Sequence, residues 1–213
     1  FGMGNYNDVL MEQIADKGDG SYAYVDDLTE ARRIFVENLT GTLQTIAGDA
    51  KVQVVFDPKV VSRWRLVGYE NRDIADKDFR NDAIDAGEIG AGHAVSAVYE
   101  LKLAPEVGRN AVAATIYLRY RSKASGKVVE QSHPLTVGEM DRTWNRATPS
   151  LRLASVVAQY AGMLKGSYWT REDDFQDLFR RAQRVSAEFP GRADVAELAS
   201  LIGRAAELSK QRR

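Results

Sequence analysis

Two histidines, His93 and His133, and six carboxylates between Asp73 and Glu88 are the side chains best suited to proton or metal chemistry. A zinc hydrolase would need its ligands paired as HxxxH or HExxH, and neither histidine stands in such a pair. A serine nucleophile is usually announced by a Gly-x-Ser-x-Gly elbow, which the chain lacks, and Ser96 and Ser132 read more simply as strand residues. Hydrolysis by His93 or His133 with a neighbouring carboxylate therefore stands as the weakest functional alternative. The acidic stretch "NRDIADKDFRNDAIDAGE" holds Asp73, Asp76, Asp78, Asp82, Asp85 and Glu88, an oxygen-rich set of the kind calcium takes. A calcium-binding hand needs a third ligand and a glycine where Arg80 and Asn81 stand, and Arg72, Lys77 and Arg80 offset much of the charge. The stretch is expected to be a solvated connection with a short helical turn.

The run "GEIGAGHAV" at 87–95 offers a different chemistry. A phosphate-cradling loop follows a strand and opens a helix, so that backbone N–H groups and the helix dipole face the anion. Here Gly87, Gly90 and Gly92 follow the order GxxGxG, with no Lys-Ser or Lys-Thr after them, and "HAVSAVYEL" alternates like a strand. The glycines are expected to make a turn leading into that strand.

Trp64, Trp144 and Trp169 are candidates for a stacking platform, but no basic stripe accompanies them. Trp64 alternates with core-like neighbours, and Trp144 and Trp169 flank a predicted helix. Arg180, Arg181 and Arg184 make a basic edge, preceded by Asp173, Asp174 and Asp177. Acid before base along a helix complements its dipole, so this charge pattern reads as helix stabilisation first and as a partner surface second. These three tryptophans and three arginines are the candidate interaction surface.

The elements that must position them come in three stretches. Residues 5–17 read as a helix capped by Asn5 or Asn7 and ended by Gly18, with Val9, Leu10, Ile14 and Ala15 on its apolar face. "GSYAYVDD" reads as a short strand. "DLTEARRIFVENLTGTLQTIAG" reads as a second helix, capped by Asp27 or Thr29, with Leu28, Ala31, Ile34, Phe35, Leu39 and Leu43 at helical spacing. From Gly48 the period becomes two. "AKVQVVFDP", "VSRWRLVGYE", "HAVSAVYELKL", "NAVAATIYLRYR" and "VVEQSHPLTV" predict five antiparallel strands, the last two joined by the hairpin "SKASGK". From about Thr148 the helical period returns in three stripes: Leu153 to Leu164, Phe175 to Val185, and Val195 to Ala205 after the Pro190-Gly191 break.

Composition narrows the function classes. The chain has 213 residues, a formal net charge of −1, 44% apolar and 28% charged residues, and no cysteine. That excludes thiol catalysis, disulfides and Cys-type zinc sites, and it gives no field that would favour nucleic acid. Nothing approaches the roughly 18 consecutive apolar residues of a membrane helix. A start on Phe1-Gly2 without a secretory leader is that expected of a fragment whose natural beginning lies upstream.

Two stretches carry a family resemblance. "FGMGNYNDVLMEQIADKGDGSYAYVDDLTEARRIFVENL" resembles the closing part of a bacterial von Willebrand factor A domain. "WRLVGYENR…DFRNDAIDAGEIGAGHAVSAVYEL" is similar to the uncharacterised C-terminal domain of YfbK-type von Willebrand A-domain proteins. The resemblance covers about the first half of the chain and implies an α+β protein. By the resemblance, residues 1–46 would be the terminal α-β-α piece of the A domain; by their own periodicity, residues 47–140 would be an antiparallel β-sandwich or barrel-like sheet and residues 141–213 C-terminal helices associated with it. The family's adhesion site binds Mg²⁺ through an Asp-x-Ser-x-Ser motif, which occurs nowhere in this chain. No cofactor is therefore expected here, and any Mg²⁺ would belong to the missing part of the parent protein. The resemblance implies a non-enzymatic protein-interaction module in the bacterial cell envelope, extracytoplasmic or periplasmic, with a cytoplasmic location as the alternative. Its partner would be a protein, not nucleic acid, and exposed sheet edges in residues 1–45 would invite a homodimer. The first functional alternative is structural support for the upstream A domain.

Overall fold

The computed structural model describes residues 7–18, 20, 22–25, 27–37, 44–67, 74–84, 86–140 and 143–210. Asn5, Leu39, Leu43, Arg72, Asp73, Asp85 and the tail at 211–213 lie outside the described residues. The chain is α+β, with five α-helices and two antiparallel sheets among the described residues. It forms two compact units that interleave along the sequence. One takes Phe1–Phe56, Ile74–Val95 and Ala114–Leu135; the other takes Asp57–Asp73, Ser96–Ala113 and Thr136–Arg213.

The first unit is built on a four-stranded sheet in the order β3-β1-β5-β6. Its strands are β1 (Thr45–Phe56), β3 (Gly87–Gly90), β5 (Val112–Ser122, whose first two residues fall in the other unit) and β6 (Val128–Thr136, whose last residue does so too). β1 and β5 pair over most of their length. Gly48 faces Arg121 and Lys51 faces Arg119, so β1 carries one extra residue there, a bulge. Asp49 within it has φ 51°, a left-handed backbone that an aspartate tolerates better than most residues. Beyond the bulge, Val52, Val54 and Phe56 pair with Leu118, Ile116 and Ala114, which makes one apolar sheet face. The other face carries Lys51, Gln53, Tyr117, Arg119 and Arg121, and Lys123 follows at the end of β5.

The acidic stretch is tied to that face. Lys51, only 5% exposed, donates to the Asn81 carbonyl at 2.7 Å. Gln53 donates to Asp76. Arg119 pairs with Asp82 at 2.5 Å, Arg121 with Asp49 at 3.1 Å, and Lys123 with Glu88 at 3.5 Å. Arg80 grips Glu130 with three hydrogen bonds of 2.7–3.2 Å, and Phe79 meets the Tyr117 ring edge-on. Asp82 and Glu88 are thus paired with cations, Asp76 and Asp78 accept from the amides of Gln53 and Asn81, and the expected helical turn is the 3-10 segment Asp76–Asp78. Gly48 matters here because a Cβ on it would lie 3.3 Å from the Glu88 carboxylate.

Three expectations change. Residues 87–90 are themselves an edge strand against β1, and the turn comes after them, where Gly92 has φ 79°. Short glycine-bearing edge strands give little period-two signal, which is why the stretch read as a turn. Thr45–Gly48 opens β1 and does not continue the second helix; that helix, α2, spans Leu28–Arg32 and runs on as a π-helical stretch, Arg33–Glu37. Residues 22–25, the described part of the expected strand, belong to neither sheet. α1 (Asp8–Lys17) starts at Asn7, whose side chain accepts from the Leu10 amide, and α2 starts at Asp27, which accepts from Glu30. Leu10, Ile14, Leu28 and Phe35 stay exposed on them.

The second unit combines a two-stranded ribbon, β2 (Val61–Val67) and β4 (Val98–Leu103), with three helices. They are α3 (Pro149–Leu164), α4 (Phe175–Ser186) and α5 (Ala193–Lys210). α3 begins with Thr148 accepting from Leu151 and with proline in its first turn. α4 begins with Asp174 accepting from Gln176 and Asp177. α4 and α5 fold back on each other through residues 187–192, where Gly191 has φ 81°. Val156, Leu178, Ala182, Val185, Ala199 and Ile202 form the helical core. Each large aliphatic side chain there stabilises the unit by about 1.5–3 kcal/mol.

Gly203 of α5 lies closely against Phe179 of α4. A Cβ there would lie 2.9 Å from Phe179 Cε2. Alanine would gain about 1 kcal/mol in helix propensity, but overpacking costs about 1–3 kcal/mol. Gly203→Ala is therefore expected to lower the thermal midpoint, which a melt followed by circular dichroism would show. A rise would mean that the Phe179 ring moves aside freely.

Charge pairing sets an acid limit. The hydrogen bonds from Arg80 hold the Glu130 carboxyl below its ordinary range, and Arg192 does the same to Asp194. A carboxylate with a depressed native pKa adds stability above its unfolded value and loses it as pH falls through the native one. Stability is thus expected to fall from about pH 5 downward. Glu130→Gln should flatten that fall in denaturant midpoints measured from about pH 6 to about pH 3; an unchanged slope would remove Glu130 from the account.

Candidate interaction surface

The aromatic and cationic groups meet in the second unit, and the elements that bring them together are the ribbon and the end of α3. α3 closes at Gly166, φ 67°, and the chain turns into a 3-10 segment, Tyr168–Thr170. Gly162 lets that segment approach, since a Cβ on it would lie 2.9 Å from Thr170 Cγ2. The segment holds Tyr168 and Trp169 edge to face, with centroids 5.4 Å apart at 88°. Both residues are 63% exposed.

Each ring carries a guanidinium. Arg65, from β2, lies 4.9 Å from the Trp169 ring centroid. It also pairs with Glu100 of β4 at 2.6 Å, directly across the ribbon. Arg171 lies 4.0 Å from the Tyr168 centroid and donates to its hydroxyl at 3.2 Å. Cation–π contacts at exposed sites are worth about 0.5–1 kcal/mol each, too little to explain folding but enough to favour this presentation of the rings. What the arrangement offers is a preorganised, half-apolar and cationic surface, whose aromatic anchors lose little rotamer freedom on binding.

The other expected residues are dispersed. Trp64 follows the strand alternation onto the opposite ribbon face from Arg65, paired across from Leu101. It is 52% exposed and not a core residue, because a two-stranded ribbon covers few side chains. Trp144 sits in the 3-10 segment Trp144–Arg146 ahead of α3, so Trp144 and Trp169 do flank that helix. On α4, Arg180 pairs with Asp177, Arg181 donates to Gln159 Oε1 at 3.4 Å, and Arg184 is exposed in the last turn. Asp174 and the Asp177–Arg180 pair thus serve the helix itself.

The histidines are both exposed. His93 follows the turn after β3, its amide donating to the Gly90 carbonyl, and His133 lies on β6. Among the described residues, no three His, Asp or Glu side chains come together in a metal-sized group. No helix among them is long and apolar enough to cross a membrane. Sequence reading missed Arg65, Tyr168 and Arg171. The adjacent "YW" with an arginine two residues on was the available signal.

Residues 41–113 match the family described as "Uncharacterized protein YfbK, C-terminal". The chain is also similar to the "Uncharacterized protein YfbK" of Escherichia coli (strain K12), at 32% identity over 99% of this chain. It spans 39% of the length of that relative. No solved structure matches it.

If Arg65 steadies Trp169, then removing it changes the tryptophan's surroundings more than it changes stability. With Trp64→Phe and Trp144→Phe leaving Trp169 as the sole tryptophan, Arg65→Ala is expected to shift its emission. Its stability cost should be about 1 kcal/mol or less. Identical spectra would show that the contact does not hold in solution.

Proposed function

We propose that this chain is a non-enzymatic protein-interaction module of a bacterial cell-envelope protein that carries a von Willebrand A domain. The similarity of nearly the whole chain to a bacterial relative supports the family part of this reading. The observation that carries the interaction part is the exposed Tyr168–Trp169 pair, held by Arg65 and Arg171. Aromatic and arginine side chains dominate binding energy at protein interfaces, and here they are fixed on the surface before any partner arrives.

The envelope location and the upstream A domain follow from the sequence resemblance and belong to the proposal. In that setting the module adds a contact surface to the parent protein, and recognition through this chain does not depend on a divalent cation.

Capture from envelope extract tests the reading. The chain and the longer parent would each be used as bait with Mg²⁺ and with EDTA, beside the chain carrying Arg65→Ala and Trp169→Ala. A partner retained by the chain in EDTA and lost by the double variant is the expected outcome. A partner held only by the parent, and only with Mg²⁺, would put recognition elsewhere and leave this chain as structural support.

A further inference from the structure

One feature of the β2–β4 ribbon works against folding. Arg63 stands directly opposite Lys102, and like charges in that position destabilise a strand pair. Both side chains are exposed, and neither has an ion pair among the described residues. Alternation puts them on the face that carries Arg65 and Glu100, the face on which Trp169 lies. Glu100 is spent on Arg65. That ribbon face therefore holds three cations and one carboxylate on a chain whose net charge is −1.

The ribbon is also incomplete as a sheet. β2 and β4 pair with each other and with no third strand among the described residues, while α3 lies against β4. The outer edge of β2 is thus the one suited to strand addition. Same-face side chains in a strand repeat about every 6.8 Å, so Arg63 and Arg65 match carboxylates on alternate residues of an extended chain. Paired antiparallel, such carboxylates would sit about 4.5–5.5 Å from the strand cations, Cβ to Cβ.

Resting on the interaction reading above, we infer that the partner contributes an extended acidic segment, with Asp or Glu at alternate positions, that adds to the β2 edge opposite Arg63 and Arg65. Lys102 strengthens the positive field of the face, and Trp169 packs against the apolar part of the segment. A nucleic acid strand fits less well. Its bases need open aromatic faces, and a guanidinium takes one face of each of Trp169 and Tyr168.

The test uses the whole chain and a fluorescein-labelled 12-residue peptide in which Glu alternates with Thr, followed by fluorescence anisotropy. Controls are a block peptide of the same composition and an oligothymidylate of equal charge. The alternating peptide is expected to bind the chain at least about tenfold more tightly than the block peptide, and binding should weaken as salt rises. Lys102→Glu is the diagnostic variant. It replaces a like-charge pair with an opposite one, so it should raise the thermal midpoint while weakening the peptide by about tenfold. Arg63→Glu should weaken it likewise, and Arg204→Glu, at an exposed position of α5, should not. No binding, equal binding of the block peptide, tighter binding of the oligonucleotide, or an unaffected Lys102→Glu variant would each overturn the inference. If the Arg65→Ala, Trp169→Ala chain still loses its captured partner, the interaction reading survives that failure.

Discussion

Asp49 holds a left-handed backbone, and the extra residue it accommodates in β1 decides what the sheet of the first unit can hold. Without the bulge, strict alternation would put Gly48 and Lys51 on opposite faces. With it they share one, and Lys51 turns toward the acidic stretch in place of the apolar face. Asp49 also accepts from Arg121, so the residue that causes the shift helps to hold its result. Arg119 and Arg121 of β5 and Lys123 just beyond it, two residues apart, then find Asp82, Asp49 and Glu88 in turn. A long connection is thereby laid on a sheet by charge and hydrogen bonds, with Phe79 its one deeply buried aromatic anchor.

The balance differs in the second unit. Its stability rests on the aliphatic core of α3, α4 and α5, and its exposed aromatic residues contribute little to that core. The division leaves Trp169 and Tyr168 without a role in the helical packing. Gly162 and Gly166 spend no side chain on the turn that presents them, which is consistent with a segment shaped for display.

The helices from Thr148 onward were legible in the sequence because apolar period, caps and breakers agree over long stretches. So were the bodies of β1, β2, β4, β5 and β6, where β-branched and aromatic residues alternate. The start of β1 was not, since Thr45 and Ile46 follow a helical run whose spacing they happen to continue. β3 was missed because glycine hides alternation. The ring–guanidinium pair was beyond any local pattern: Arg65 and Trp169 are far apart in sequence, and only the turn after α3 brings them together. The acidic stretch was recognised as chemistry worth weighing, but its true partners lie on β1, β5 and β6, and pairings of that kind leave no trace in spacing.

The interleaving of the two units has a consequence for how the chain is made. Its path passes from one unit to the other five times, once inside β5, between Ala113 and Ala114. No single cut releases either unit whole, and each must gather segments separated by tens of residues before its core closes. Gathering them costs loop-closure entropy before the contacts repay it, which slows folding and couples the fate of one unit to that of the other. On the ribosome the first unit cannot finish until β6 has emerged, so a chain stalled before Val128 would expose the β5 edge to its neighbours.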